Sequence, residues 1–310
     1  MDILITGGVG YIGSKLIESL FQLNSDYNIT VVDNLLYNQL PFSILEKCNF
    51  VKGDVRNRDL MLPLLKKQDI IIPLAAIVGY PACNKYPKDA VSVNVESIKW
   101  MLSKLSKEQI VIYPNTNSGY GNTKEYCTED TELTPITLYG ETKVETEKYI
   151  MEFENSVVFR FATLFGTSPR LRLDLLVNDF VMQAMAGSNL KLYQPNFKRS
   201  FLHVNDAVNV FVFAVNNFSF MKNEIFNVGL DNANMTKIQL CDKIKEYIPN
   251  FNYYVSDGED PDQRNYFVST SKLTGIGFSP KLDIEYGIKQ IMEIYPLIKD
   301  YNCNQFTNLR

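Results

Sequence analysis

Apolar positions 3–6 pass into Gly7, Gly8, Gly10 and Gly13, after which Leu16, Ile17 and Leu20 recur at helical spacing. The predicted elements are a short buried strand, a glycine turn and an amphipathic helix. The same change of period repeats through the first half of the chain. Residues 29–32 read as a strand ending in Asp33, residues 50–51 as another, and 60–66 as a helix. The apolar run 70–74 predicts a further strand. A helix is expected over 89–105, with Val95, Ile98, Met101, Leu102 and Leu105 on one stripe. Strand signals return at 110–113 and 157–161, with a long helix inside 135–154. Strands alternating with helices predict an α/β fold: a Rossmann-type, doubly wound parallel sheet with helices on both faces. Ligands of such sheets sit outside the carboxyl ends of the strands. Chemistry is therefore expected just after Thr6, Asp33, Leu74, Tyr113 and Phe161.

Beyond residue 165 the pattern loosens. Helices are expected at 175–186, 207–215, 235–247 and 284–294, with a strand at 201–204. No internal repeat or low-complexity linker separates the halves, so a smaller, interlocked C-terminal lobe is predicted. Residues 1–165 with about 198–220 are assigned to the larger domain, and 166–197 with 221–310 to the smaller lobe. Residues after Tyr301 are polar and are expected to fray.

Composition narrows the class. The chain has 310 residues, 45% of them hydrophobic, and a net charge of −4 without Lys/Arg runs. That balance argues against nucleic acid or an anionic membrane as a partner. No window approaches a membrane span, and the first residues enter the fold at once. A cytoplasmic protein without a signal peptide is the expectation. Cys48, Cys83, Cys127, Cys241 and Cys303 are odd in number and show no C-x-x-C, which reads as reduced thiols. His203 is the only histidine, so a multi-His metal centre cannot be built and no metal is expected.

Two features carry chemistry. Gly7-x-x-Gly10-x-x-Gly13, with Tyr11 and Ile12 inside it, places backbone N–H groups and a helix N-terminus where a pyrophosphate can bind. Asp33, beside Asn34 and twenty residues further on, suits a ribose 2′-hydroxyl and repels a 2′-phosphate, which favours NAD over NADP. The second feature is Tyr139-Gly-Glu-Thr-Lys143, a phenol and an ammonium on one helix face. The nearby positive charge favours phenolate, so Tyr139 is the candidate base, and Lys143 can also hold a nucleotide ribose. Y-x-x-x-K is common on helix surfaces. Its position after strand 110–113, whose end faces the glycine loop's crevice, gives it weight. The turn after that strand offers Thr116 to orient a substrate alcohol, with Ser118 in reserve.

These motifs, with Gly53-Asp54-Val55, Leu74-Ala75-Ala76 and Asn94, resemble the extended short-chain dehydrogenases of the sugar-nucleotide epimerase/dehydratase family. The resemblance continues through Arg160-Phe-Ala-Thr-Leu-Phe-Gly166, Arg199-Ser-Phe-Leu-His-Val-Asn-Asp206 and Asp262-Gln-Arg264-Asn-Tyr266, so it covers nearly the whole chain. It implies NAD in the large domain, a nucleoside-diphosphate sugar in the small lobe, and oxidation at the sugar C4. It places Asp54 and Val55 beside the adenine, and Leu74, Ala75 and Ala76 along the cofactor. Asn94 supports this region or caps its helix. Thr163 stands where related epimerases often carry a diphosphate-touching Asn, and Arg199 and Arg264 match the arginines that hold the diphosphate. His203 is implied to be structural.

Two departures refine the resemblance. The 4,6-dehydratases carry an Asp-Glu pair after the Thr, where this chain has Asn117 and Ser118, so dehydration is disfavoured. The strings at 113–121 and 165–180 are similar to a narrower group, the GDP-D-glycero-α-D-manno-heptose 4-dehydrogenases of capsular heptose synthesis. That likeness adds Arg170, Arg172 and Asn178 as substrate candidates. The expected reaction is NAD-dependent oxidation of the C4 hydroxyl, with a 2-oxo acid as the external oxidant to try. A 4-epimerase using the same residues is the closest rival, and a non-catalytic sensor of nucleotide sugars a more distant one. The family also implies a homodimer or higher oligomer, built on the helices within 89–105 and 135–154, with Trp100 and Met101 read equally as seam candidates or as core packing.

Overall fold

The computed structural model describes residues 1–258, 263–301 and 306–308. Seven strands form one sheet: β1 (Asp2–Thr6), β2 (Asn28–Asp33), β3 (Asn49–Lys52), β4 (Ile70–Pro73), β5 (Ile110–Thr116), β6 (Ser156–Phe161) and β7 (Glu224–Val228). Their order is β3-β2-β1-β4-β5-β6-β7, and every neighbouring pair is parallel. The apolar runs are buried on both faces, as a helix-covered parallel sheet requires. Ile3 and Ile5 pack with Leu16, Ile17, Leu20, Val208 and Phe211 on one side. Leu4 turns the other way, toward Met61, Leu65, Ile98, Met101 and Ile150. Each fully buried Leu or Ile contributes roughly 1.5–3 kcal/mol. Strand order reverses between β1 and β4, which opens the crevice above their carboxyl ends.

The helix expected over 89–105 is composite. Pro87–Val91 leads into a π-helical turn, Ser92–Glu96, and then Ser97–Leu102. Side-chain hydroxyls take backbone carbonyls there: Ser97 Oγ donates to Val93 at 2.6 Å and Thr146 Oγ1 to Asn94 at 2.7 Å. Such competing bonds favour the wider turn. Met101 is 3% exposed within one chain and packs in the core beside Leu4, as the core-packing alternative for it expects. Trp100 is half-buried, with the Arg58 guanidinium 5.7 Å from its ring.

A second core gathers Phe165, Val177, Phe180, Leu240, Ile244, Phe251, Ile288 and Ile291. Around it lie a three-stranded sheet (Asn234–Thr236, Lys198–His203, Thr163–Phe165) and the helices Leu176–Met185, Lys237–Tyr247 and Ile284–Ile298. The topology departs from the expected partition at two boundaries. Residues 198–203 pair in this small sheet, whereas β7, beyond residue 220, completes the large one. The buried Phe226 and Val228 draw β7 beside β6, a pairing too short to register as a strand in the sequence. Part of the tail that was expected to fray is tied down: Leu173 N–H donates to the Phe306 carbonyl at 2.8 Å, and Asn308 N–H to Asp174 at 3.2 Å. Asp262 and Cys303 lie outside the described residues. Among the described residues no helix is long and apolar enough to cross a membrane.

Candidate active site

One cavity of about 980 Å³ spans the carboxyl ends of β1, β2, β4, β5 and β6 and reaches the second lobe. Gly7, Gly10, Tyr11, Ile12, Gly13, Asp33, Asn34, Asp54, Val55, Leu74, Ala75 and Ala76 line its first half. Gly7 has φ +69°, and a Cβ on it would stand 2.6 Å from the Ala75 amide nitrogen. A Cβ on Gly13 would meet the Gly8 carbonyl oxygen at 2.5 Å, so helix Tyr11–Leu23 closes tightly on the loop. Gly10 caps that helix without a side chain, leaving first-turn N–H groups for a ligand. Asp33 accepts from Leu35 N–H at 2.8 Å and Val9 N–H at 3.3 Å, while burial raises its pKa. Asp54 is gripped by Arg56 (2.9 and 2.8 Å), which holds its carboxyl at about 2.

Helix Leu138–Met151 starts on Thr137, whose hydroxyl accepts from Gly140 N–H at 3.1 Å, and this fixes Tyr139 and Lys143 on the cavity wall. Lys143 Nζ donates to the Pro114 carbonyl at 2.5 Å and lies 3.9 Å from the Tyr113 ring centre, locking the helix to β5. Burial pulls its pKa down to about 7, against the upward pull of Glu147. The phenol of Tyr139 is pushed above its usual range, first by burial and then by Cys83, and the cations that oppose this are Arg264 and Arg172. The Lys143 ammonium is turned back toward β5, and the cations that pull the Tyr139 pKa down in this structure are Arg264 and Arg172. Thr116 Oγ1 donates to Ser118 Oγ at 2.9 Å and accepts from Ser118 N–H at 3.1 Å. Arg264 donates to that same Ser118 hydroxyl, and Arg199 to the Arg264 carbonyl.

Thr163, Arg170, Arg172, Arg199 and Arg264 also line the cavity. Arg172 forms a bidentate pair with Asp174 at 3.0 and 2.6 Å. Two expected site residues stand apart from the wall. Asn178 spends its amide on the Gly166 N–H (2.9 Å) and on the carbonyls of Gly166 (3.0 Å) and Arg172 (2.8 Å), so it shapes the loop instead of meeting substrate. Asn94 sits in the π turn, not at a cap, and binds the Ile77 N–H at 2.8 Å, the Ile77 carbonyl at 3.0 Å and Thr142 at 3.2 Å. It props the wall from behind. His203 is fully buried, 2.8 Å from Gln290, between the rings of Phe165 and Tyr286.

The NAD dependent epimerase/dehydratase family model matches residues 3–229. The chain belongs to that family. It is 25% identical over 312 residues to the low-salt glycan biosynthesis protein Agl12 of Haloferax volcanii, covering 95% of this chain and 98% of that one. Its fold superposes on UDP-glucose 4-epimerase from Thermotoga maritima, solved with UDP-glucose, with a TM-score of 0.83 and 25% identity over 97% of this chain and 100% of that one. The fold is equally close to dTDP-glucose 4,6-dehydratase from Bacillus anthracis in complex with NAD (TM-score 0.83, 24% identity, 98% and 99% covered).

NAD is the cofactor of this epimerase/dehydratase family member, and its residues fit it. The Gly7–Gly13 loop leaves backbone room for phosphates, and Asp33 stands at the end of β2 for a ribose. Sequence reasoning missed Tyr37, Asp174, Asp179, Lys237, Tyr266 and Asn308, all of which line the cavity. Tyr37 lies in an irregular loop and Asn308 near the chain end, where no periodicity marks them. Arg172-x-Asp174 was the one legible signal, a cation with its partner two residues on.

Proposed function

We propose that this enzyme oxidises the C4 hydroxyl of a nucleoside-diphosphate sugar to the 4-keto sugar nucleotide. GDP-D-glycero-α-D-manno-heptose is the first candidate, in the cytoplasmic synthesis of capsular or surface polysaccharide. The observation that carries the reaction type is the turn after β5. Asn117 is fully buried and Ser118 is bonded to Thr116 and Arg264, so the two positions that follow Thr116 hold no acid to move protons for water loss. The heptose preference is supported by the strings at 113–121 and 165–180.

Bound NAD supplies the oxidant. The chain's own part begins with Tyr139, whose phenolate accepts the proton of the sugar hydroxyl. Thr116 aligns that hydroxyl. Arg264 and Arg172 lower the cost of the phenolate. Arg199 and Arg264, aided by Thr163, take the diphosphate through charge-assisted hydrogen bonds. Binding energy gathered far from C4 orients the reacting carbon. A homodimer built on the helical run 87–102 and helix Leu138–Met151 belongs to the same proposal, and light scattering reads that state directly.

The likeness to a UDP-glucose 4-epimerase favours one second reading, a 4-epimerase with the same residues. Incubation of enzyme, NAD and GDP-heptose separates the two. A net dehydrogenase raises NADH absorbance at least to the enzyme concentration, and a 2-oxo acid such as 2-oxoglutarate sustains turnover if the cofactor does not exchange. Steady interconversion of two 4-epimers without an oxidant would replace the dehydrogenase with the epimerase. A parallel screen of GDP-, UDP-, CDP- and dTDP-sugars fixes the nucleobase.

A further inference from the structure

Arg170 is a buried cation without a partner. Its side chain is 3% exposed, and among the described residues its guanidinium makes no hydrogen bond or ion pair, with Nη2 fully enclosed. The Tyr37 ring centre lies 4.8 Å from the guanidinium carbon. The nearby acids are already committed. Asp33 holds the amides of Leu35 and Val9, and Asp174 is held bidentately by Arg172. A guanidinium withdrawn from water with no anion is costly, and removing it from the empty protein relieves that cost.

The segment that carries Arg170 is bolted to the glycine-loop helix. Tyr11 Oη donates to the Gly166 carbonyl at 2.8 Å, and Ser168 Oγ donates to the Tyr11 carbonyl at 2.6 Å. Ser14 Oγ lies 3.0 Å from Ser168 Oγ and accepts from Arg170 N–H at 3.4 Å. Arg170 is therefore held between the uncapped amino end of helix Tyr11–Leu23 and the loop after Asp33 that bears Tyr37. Arg199 and Arg264 are gathered separately, around Ser118.

We propose that Arg170 serves the cofactor instead of the sugar nucleotide: its guanidinium pairs with the NAD diphosphate, and residues 166–170 form a clasp that slows cofactor exchange. The second lobe thereby helps to hold the nucleotide of the first. Pairing would turn a liability of the empty chain into an interaction of the loaded one. Removal of the charge then has opposite effects on the two states.

The test uses the full chain freed of nucleotide, compared with Arg170→Met and Arg170→Gln. Calorimetric titration with ADP-ribose should show affinity lower by about 10- to 100-fold in both variants. Adenosine, which has no phosphate, and GDP should each bind within about twofold of the parent. The melting temperature of the ligand-free variants should rise, while NAD retained through gel filtration should fall. Unchanged ADP-ribose affinity overturns the proposal. So does an equal loss for adenosine, which would mean packing on Tyr37, or a loss confined to GDP, which would return Arg170 to the substrate. A variant that melts lower or fails to fold also overturns it, because the side chain would then be structural.

Discussion

Lys143→Met is the substitution whose effect should depend most on pH. Burial holds the Lys143 pKa at about 7, below the ordinary 10.5, so the folded chain gives up this proton before the unfolded chain does. The cost of burying the charge is full below pH 7 and fades as pH rises from 7 toward 10.5, where the unfolded chain binds more protons. Integrated between pH 6 and 9, the linkage stabilises the parent by about 3 kcal/mol relative to the variant. In a chain of this size that is about 5 °C in melting temperature. The bond to the Pro114 carbonyl and the packing on Tyr113 shift the whole comparison by a constant, so the slope is the quantity to read. The assay is thermal unfolding of parent and Lys143→Met at half-unit steps from pH 6 to 9, ligand-free. Methionine keeps the buried stem and removes the charge. The variant should compare best at pH 6 and lose ground steadily above pH 7. A difference in melting temperature that stays flat across the range would mean a lysine protonated throughout, and the account of its desolvation would be wrong.

Tyr139→Phe removes the candidate base without opening a cavity. Single-turnover NADH formation should fall about 10²- to 10⁴-fold, with sugar-nucleotide affinity within about threefold by calorimetry; unchanged turnover would sink the assignment. Arg160→Met tests the polar core beneath the site. Arg160 grips Glu147 at 3.0 and 2.6 Å and reaches Tyr120 at 2.9 Å, with both charged side chains almost fully buried. The substitution should cost about 3–5 kcal/mol in denaturant titration because it strands a carboxylate, and Glu147→Gln added to it should recover part of the loss. A cost under about 1 kcal/mol would show that the pair is not desolvated as the packing implies.

Much of the large domain was legible because its signals are local. The continuous apolar runs of β1, β2 and β4 had to be buried on both faces, and the glycines that follow β1 had to be a turn. The points left open or misjudged depend on distant partners. Asn94 read either as a support of this region or as a helix cap, and only its bonds to Ile77 and Thr142, seventeen and forty-eight residues away, decide between the two. Asn178 read as a ligand contact because the string 165–180 is similar to the heptose 4-dehydrogenases, yet Gly166 and Arg172 use up its hydrogen bonds. β7 went unseen because five residues with two buried apolar side chains mark a strand only once β6 is beside them.

By itself the amino-acid order determined the kind of protein: a dinucleotide fold, an NAD-type acid at the end of β2, and a Tyr/Lys pair one helical turn apart. These rest on spacing along the chain, which backbone periodicity converts directly into geometry. Tertiary structure alone decided the charges. Burial pulls the Lys143 pKa down, Arg264 and Arg172 are the cations that pull down that of Tyr139, and Nη2 of Arg170 is enclosed without a hydrogen-bond partner among the described residues. Desolvation and Coulomb energy depend on which groups meet in space and how much water remains between them, and neither is written in the spacing of residues.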